Sequence, residues 1–349
     1  LVPKPAAPWT SDMLPEESKL GNAIAAVGGV AVAGAPTNYE EGTVWRLAVE
    51  DETWTSQQAA PLGPLGDNAL LGTSVVIDAE GTIAAGAPGL GGHVLVFAGE
   101  TVSELEVGSG VKNQLGTSLA LAGEVLLVGD QASSSCELGP CGAVFLFQWV
   151  EGLPQIGSPI VAPVPFAGQQ FGRSVAATGG PPFRAVIGAP GDYVDEVLTG
   201  AIYLMQENDM KEWGLTRLVP DIAPGLAIGD KFGTQVAISD AWVLATTFDS
   251  GHVYAYDLAG KAWQLLDALT PSIESHRSVV INGQFAAVGD YDDDGAVTLL
   301  SVTGDGFAVI DTVFAPESGL FGRFGRSLAL DGDALWVGEP DVGAGRVHR

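Results

Sequence analysis

Short apolar runs closed by glycine or proline recur along the whole chain, and aligning them on a Gly-x-Ser-apolar-Ala core yields seven copies. They read "LGNAIAAVG" from Leu20, "LGTSVVIDA" from Leu71, "LGTSLALAG" from Leu115, "FGRSVAATG" from Phe171, "FGTQVAISD" from Phe232, "SHRSVVING" from Ser275 and "FGRSLALDG" from Phe324. A second run follows in each copy, as in "VAVAGAP", "TIAAGAP" and "VLLVGD". These runs are too short for helices and are bounded by breakers, which predicts buried strands. After a variable loop a glycine opens a third strand, as in "GTVWRL", "GHVLVF" and "GAIYLM". The fourth element carries an aromatic residue and admits polar ones, for example "WTSQQAAP" at Trp54 and "WGLTRLVP" at Trp213. That pattern suits an outer, half-exposed strand.

The aligned positions Gly21, Gly72, Gly116, Gly172, Gly233, His276 and Gly325 are separated by 51, 44, 56, 61, 43 and 49 residues. Four short strands at such a period predict propeller blades, hence an all-β, seven-bladed β-propeller. The last copy runs out after three strands at Arg349, while "WTSDMLP" at Trp9 has the form of a fourth strand with nothing of its own before it. The N-terminal segment is therefore expected to supply the outer strand of the last blade and close the ring. The whole of 1–349 forms one domain, with residues 1–19 completing the blade formed by 324–349.

"FGRSVA" followed by "VIGAP" and then "GAIYL" resembles the FG-GAP repeat, the unit of the seven-bladed propeller in integrin α chains and in many secreted bacterial proteins. The resemblance covers the chain, although copies five to seven carry "ATTF", "VGDY" and "VGEP" in place of Gly-Ala-Pro. It implies extracellular recognition and, by itself, no catalytic activity. Fold alone does not assign function, so each site needs its own argument.

Composition narrows the partner class. There are 42 acidic residues against 15 Lys plus Arg, a net charge of −27, in a chain of 349 residues that is 46% hydrophobic. Such a field repels phosphate backbones and anionic lipid, which argues against nucleic acid and membrane surfaces as partners. No apolar run reaches the roughly 20 residues needed to span a bilayer. The start "LVPKPAAPW" lacks the layout of a secretion signal, so that signal is either missing or lies upstream. Cys136 and Cys141, in "SSSCELGPCG", read as a local disulfide and hence an oxidising compartment, with two free thiols as the alternative. A zinc site finds no second Cys or His pair to complete four ligands.

Integrin-type repeats often hold calcium between their first and second strands, but here those connections are only turns, such as "AAVGGVAV". Calcium is instead pointed to by "GDYDDDGAV" in the sixth copy, where Asp290, Asp292 and Asp294 alternate before Gly295; a solvated acidic turn is the competing reading. The loop "GAPGDYVDEVLTG" offers Asp192, Asp195 and Glu196 at weaker spacing. The residues following the aligned position are Asn22, Thr73, Thr117, Arg173, Thr234, Arg277 and Arg326. Arg173, Arg277 and Arg326 would thus converge on one end of the channel, either to bind an anionic group or to tie blades together by ion pairs. Among the histidines, His93 and His252 follow third-strand glycines, and no Gly-x-Ser-x-Gly or His-Glu-x-x-His motif is present.

The expectation is a monomeric, non-catalytic recognition module, extracellular, surface-bound or periplasmic. It would bind a protein or glycan through second-to-third-strand loops, which run from "DS" at Asp249 to "ASSSCELGPC" ending at Cys141. The alternative is a propeller hydrolase, lyase or lectin acting on anionic polysaccharide at the channel.

Overall fold

The computed structural model describes residues 7–11, 13–36, 41–50, 53–59, 65–66, 68–89, 91–107, 113–137, 139–150, 153–179, 182–207, 213–222, 225–266, 276–292, 295–304, 306–315 and 322–349. Six four-stranded antiparallel sheets and one three-stranded sheet follow one another along the chain. Blade 1 shows the plan: Ala23–Val27 is innermost, then Val30–Ala35, Thr43–Glu50 and Thr53–Ala59 outermost. The other innermost strands are Ser74–Ile77, Ser118–Ala122, Val175–Thr178, Val236–Ile238, Arg277–Ile281 and Ser327–Asp331. Each touches its two neighbours, and Ala23–Val27 touches Ser327–Asp331, so seven blades close a ring.

Burial falls off radially as the sequence pattern requires. The second strands Ile83–Ala87 and Trp242–Thr246 are buried along their whole length. By contrast, the outermost Thr53–Ala59 has only Trp54 and Ala59 partly covered. Apolar residues of facing sheets fill the wedge between blades, for instance Val94, Leu105 and Leu115 of one side with Val128 and Phe145 of the next. The recurring tryptophans serve this packing: Trp54 meets Trp336 edge-on at 5.9 Å, Trp213 meets Phe183 at 5.3 Å and Trp263 meets Phe232 at 5.8 Å.

Blades are joined by the residues that define the repeat. Gly34 of blade 1 lies with its Cα directly against the carbonyl of Gly72, the aligned glycine of blade 2, and Gly72 itself takes φ +92°. The same approach recurs at Gly86 on Gly116, Gly129 on Gly172, Gly188 on Gly233, Gly289 on Gly325 and Gly338 on Gly21. The motif serine reinforces it by donating to the same carbonyl: Ser74 to Gly116 at 2.7 Å, Ser118 to Gly172 at 2.9 Å, Ser174 to Gly233 at 2.9 Å, Ser278 to Gly325 at 2.6 Å and Ser327 to Gly21 at 2.7 Å.

The seam is closed by the N-terminal segment, but more sparingly than by a full strand. Trp9 and Val347 form a single antiparallel bridge, with N to O distances of 2.8 and 2.9 Å. Trp54 Nε1 then fastens the segment by donating to the Ala7 carbonyl at 2.8 Å. The loop "GAPGDYVDEVLTG" also differs from expectation, because Tyr193–Val194 and Val197–Leu198 pair as a small hairpin. Linkers into each innermost strand and second-to-third-strand loops emerge together on one face, which we term the loop face. Tight turns such as Gly28–Gly29 and Gly123 occupy the opposite, turn face.

Two glycine substitutions separate close approach from backbone preference. A Cβ on Gly86 would collide with the Gly116 carbonyl and Ser74 Oγ, whereas Gly81 has φ +88° but open space around it. Gly86→Ala is expected to cost more than about 3 kcal/mol in denaturant unfolding and Gly81→Ala about 1–2 kcal/mol. Equal costs would show that the blade contact is not the constraint.

Candidate functional site

The loop face is built outward from the turn that starts each innermost strand. At that turn Thr73, Thr117 and Thr234 fold their hydroxyls back onto their own linkers, donating to Leu70, Gln114 and Lys231 carbonyls at 2.8, 2.7 and 2.7 Å. Asn22 reaches sideways to the Thr73 carbonyl at 3.5 Å. The three arginines behave differently from one another. Arg277 is buried in blade 6, where its strand register places it opposite Asp290 and its Nη2 lies 3.6 Å from Asp290 Oδ2. Burial pulls its pKa down and Asp290 pulls it back up.

Arg173 and Arg326 stay at the channel mouth. Arg326 lies with its guanidinium 4.9 Å from the centre of the Tyr291 ring and donates from Nη1 to Tyr291 Oη at 2.9 Å. Arg173 donates from Nη1 to Gln131 Oε1 at 3.1 Å. Burial lowers the Arg173 pKa, and the like charge of Arg326 lowers it further. The structure therefore brings two of the three arginines together and sets the third into the blade.

Of the acidic trio, Asp292 receives the His276 amide at 2.5 Å and holds His276 Nδ1 at 2.8 Å, Asp290 faces Arg277, and Asp294 lies outside the described residues. Among the described residues no group of three or more His, Cys, Asp or Glu side chains converges as a metal site. His276 stands where the other copies have the aligned glycine. Its ring packs edge-on against Phe248 at 4.2 Å and stacks with Tyr291 at 5.9 Å, filling a junction that lacks the repeat's glycine contact. Sequence reasoning missed Tyr291; the signal was its place between two of the singled-out aspartates.

Elsewhere on the loop face, carboxylates have structural tasks. Buried Asp130 accepts amides from Asn113, Gln114 and Ala132 at 2.8, 2.9 and 3.1 Å; burial raises its pKa while those amides oppose the rise. Glu339, at the corresponding place in blade 7, is buried against His348 Nε2 at 2.9 Å. Asp192 anchors the hairpin, accepting the Tyr203 hydroxyl at 2.5 Å and the Tyr193 amide at 2.7 Å. Burial and then this carboxylate hold the Tyr203 phenol well above its usual range. Cys136 and Cys141 are joined as a disulfide, which closes the blade 3 loop.

The large apolar side chains that remain exposed are not scattered evenly. Val164 is 78% exposed, Tyr193 47% and Ile228 81%, on three neighbouring loops of blades 3 to 5. Phe166 packs on Tyr193 at 5.3 Å, the Gly191 amide bonds the Gln169 carbonyl at 3.1 Å, and the Gly229 amide bonds the Leu198 carbonyl at 2.7 Å. These contacts wedge the hairpin between the two linkers. Met13 also projects from a linker on this face, and the remaining exposed large hydrophobics lie on outer strands. Among the described residues the turn face exposes none.

Comparisons with known proteins place this architecture. The chain is similar to the solved structure of U3-55K, with TM-score 0.62, 13% identity, and coverage of 98% of this chain and 97% of that one. It is similar to the Dos1 propeller at TM-score 0.61 and 12% identity, covering 98% and 94% of the two chains. PorZ, a bacterial surface component of the type-IX secretion system of Porphyromonas gingivalis, matches at TM-score 0.58 and 11% identity over 96% of this chain and 36% of that one. At such identities the likeness shows the fold, a seven-bladed β-propeller. No family model and no curated protein matches the sequence, so membership of the FG-GAP or integrin-like family is not established.

The arginines should separate in stability measurements. Arg277→Met leaves Asp290 without its facing cation and is expected to lose about 1–3 kcal/mol. The lowered pKa of Arg173 means its charged form is less favoured folded than unfolded, so Arg173→Gln is expected to leave unfolding free energy unchanged or raise it by up to about 1 kcal/mol. Urea unfolding at neutral pH measures both. A loss at Arg173 as large as that at Arg277 would assign both to structure.

Proposed function

We propose that this propeller is a non-catalytic recognition module that docks a protein partner through the loop face around blades 3 to 5. The observation that carries the reading is the exposure of Val164, Tyr193 and Ile228 on three neighbouring loops that Phe166 and the Asp192-anchored hairpin hold together. Exposed apolar groups on rigidly hydrogen-bonded loops suit protein contact, because little ordering entropy remains to be lost on binding. The disulfide-closed loop lies beside this patch, with Gly139 next to Ala167. It supports residence in an oxidising compartment, hence a secreted, surface or periplasmic protein.

The structural neighbours lend general support. One belongs to a structure described as the mitotic checkpoint complex, matched at TM-score 0.63 and 12% identity, and PorZ is described as a surface component of a secretion system. One description names a complex and the other a component of a secretion system. The charge of −27 favours a partner with a basic or neutral contact surface over a polyanion.

Affinity capture from the source organism's own proteins, comparing wild type with the Val164→Asp/Ile228→Asp variant, tests the reading. Both side chains are solvent-exposed, so the variant is expected to fold with wild-type stability while capture of a specific partner falls at least tenfold. Identical captured sets from the two proteins would sink the proposal.

A further inference from the structure

Four other arginines of this protein are balanced by carboxylates: Arg217 by Asp192 at 3.6 Å, Arg277 by Asp290 at 3.6 Å, Arg323 by Asp341 at 3.0 Å and Arg346 by Glu339 at 3.9 Å. Arg46, Arg184 and Arg349 lack a carboxylate partner among the described residues as well, but Arg173 and Arg326 lack one while sharing a repeat position at the channel mouth. Their hydrogen bonds go to a glutamine and a tyrosine, and among the described residues neither has a carboxylate within ion-pair distance. With 42 acidic residues against 15 basic ones, leaving two guanidinium groups together without a counter-charge runs against the composition of the chain.

Their placement is equally specific. Both occupy the repeat position just before the innermost strand, in blades 4 and 7. Three blades apart in a ring of seven, they face each other across the channel mouth. They are close enough for Arg326 to act on Arg173, and Tyr291 acts on Arg173 as well, so the tyrosine that carries Arg326 stands near both charges. Tyr291 is fixed by stacking on His276, which Asp292 holds at 2.8 Å. Gln131 is fixed in turn by donating from Nε2 to Gln114 Oε1 at 2.7 Å. Because Tyr291 Oη accepts from Arg326, its own O–H is left to donate. The mouth thus presents two forked cations and one hydroxyl donor, each steadied from behind.

We propose that Arg173, Arg326 and Tyr291 form a binding site for a small free polycarboxylate at the channel mouth. Forked guanidinium groups pair with carboxylate oxygens in two parallel hydrogen bonds, and two of them approaching from opposite sides match an ion with carboxylates on both ends. The field of the whole molecule selects against long polyanions, whose outlying charges would meet the surrounding acidic surface. A compact ion places its whole charge between the arginines. Binding also removes the mutual repulsion of the two guanidinium groups, so the unliganded protein bears the cost that the ligand relieves. This site is separate from the apolar patch around Tyr193, and either can stand without the other.

Citrate serves as the probe, with isothermal titration and thermal unfolding of wild type, Arg173→Gln, Arg326→Gln and, as a folding control, Arg277→Met. Citrate also stabilises folded proteins by exclusion from their surfaces, so the readout is the difference between proteins at equal concentration. At 10 mM citrate the wild type and Arg277→Met are expected to gain about 2–4 °C more than Arg173→Gln or Arg326→Gln, and calorimetric affinity to fall at least tenfold in both glutamine variants. A Tyr291→Phe variant should show a smaller loss, because the hydroxyl is removed while both guanidinium groups and the ring beside Arg326 remain. Equal gains in all four proteins, or citrate binding that survives either glutamine substitution, would overturn the site. Hexaglutamate binding more tightly than citrate would overturn the assignment to a small free ion.

Discussion

Everything in this ring depends on one contact, the approach of backbone to backbone where the second strand of a blade meets the first turn of the next. Gly188, for example, sits against the carbonyl of Gly233, and Ser174 Oγ donates to that same oxygen at 2.9 Å. Neither glycine tolerates a side chain there, and the hydroxyl satisfies an acceptor that the contact would otherwise bury. Three of the residues that make the repeat visible are therefore the interface between units, and the hydrophobic wedge packs behind it. At the last junction the same bond runs from Ser327 to Gly21, 306 residues away, so ring closure uses the chemistry of any other step.

Because the contact is made by backbone and one hydroxyl, it places almost no demand on the loops that leave it. Those loops can lengthen, close with a disulfide as at Cys136 and Cys141, or fold into a hairpin as at Tyr193–Leu198, without disturbing the ring. The junction of blades 5 and 6 shows the converse. There Gln235 replaces the serine, Thr246 the second-strand glycine and His276 the aligned glycine. The close approach is lost, and the gap is filled by the His276 ring with Phe248 edge-on to it and Tyr291 stacked on it. A relaxed structural constraint has thus delivered a rigid aromatic platform to the edge of the channel, which in turn carries Arg326.

The ring and its blade count were legible from the sequence because each rests on a period. What a period cannot supply is the direction of a single side chain. Arg173, Arg277 and Arg326 share one repeat position, yet Arg277 alone meets an acidic residue in strand register, at Asp290, and is drawn into the blade. Asp290 was read as a cation ligand when its nearest cation is this arginine. The hairpin at Tyr193 was read as loop for a similar reason, since its four paired residues show no alternation and depend on Asp192 beneath them. The fourth strand of the last blade was expected from a tryptophan-led segment, and the bridge at Trp9 is what that segment supplies.

Charge distribution ties these elements together. The chain carries a net charge of −27, and among the described residues five of its cations, four arginines and Lys231, pair locally with neighbouring carboxylates. Two arginines held instead by neutral groups form a positive spot in a negative overall field, which favours an anion that places its whole charge between them. Stability and recognition then pull on the same residues in opposite directions. Glycine and serine at the blade junctions hold the ring rigid, and that rigidity is what lets the loop face keep two like charges together and three apolar side chains exposed without collapsing around them.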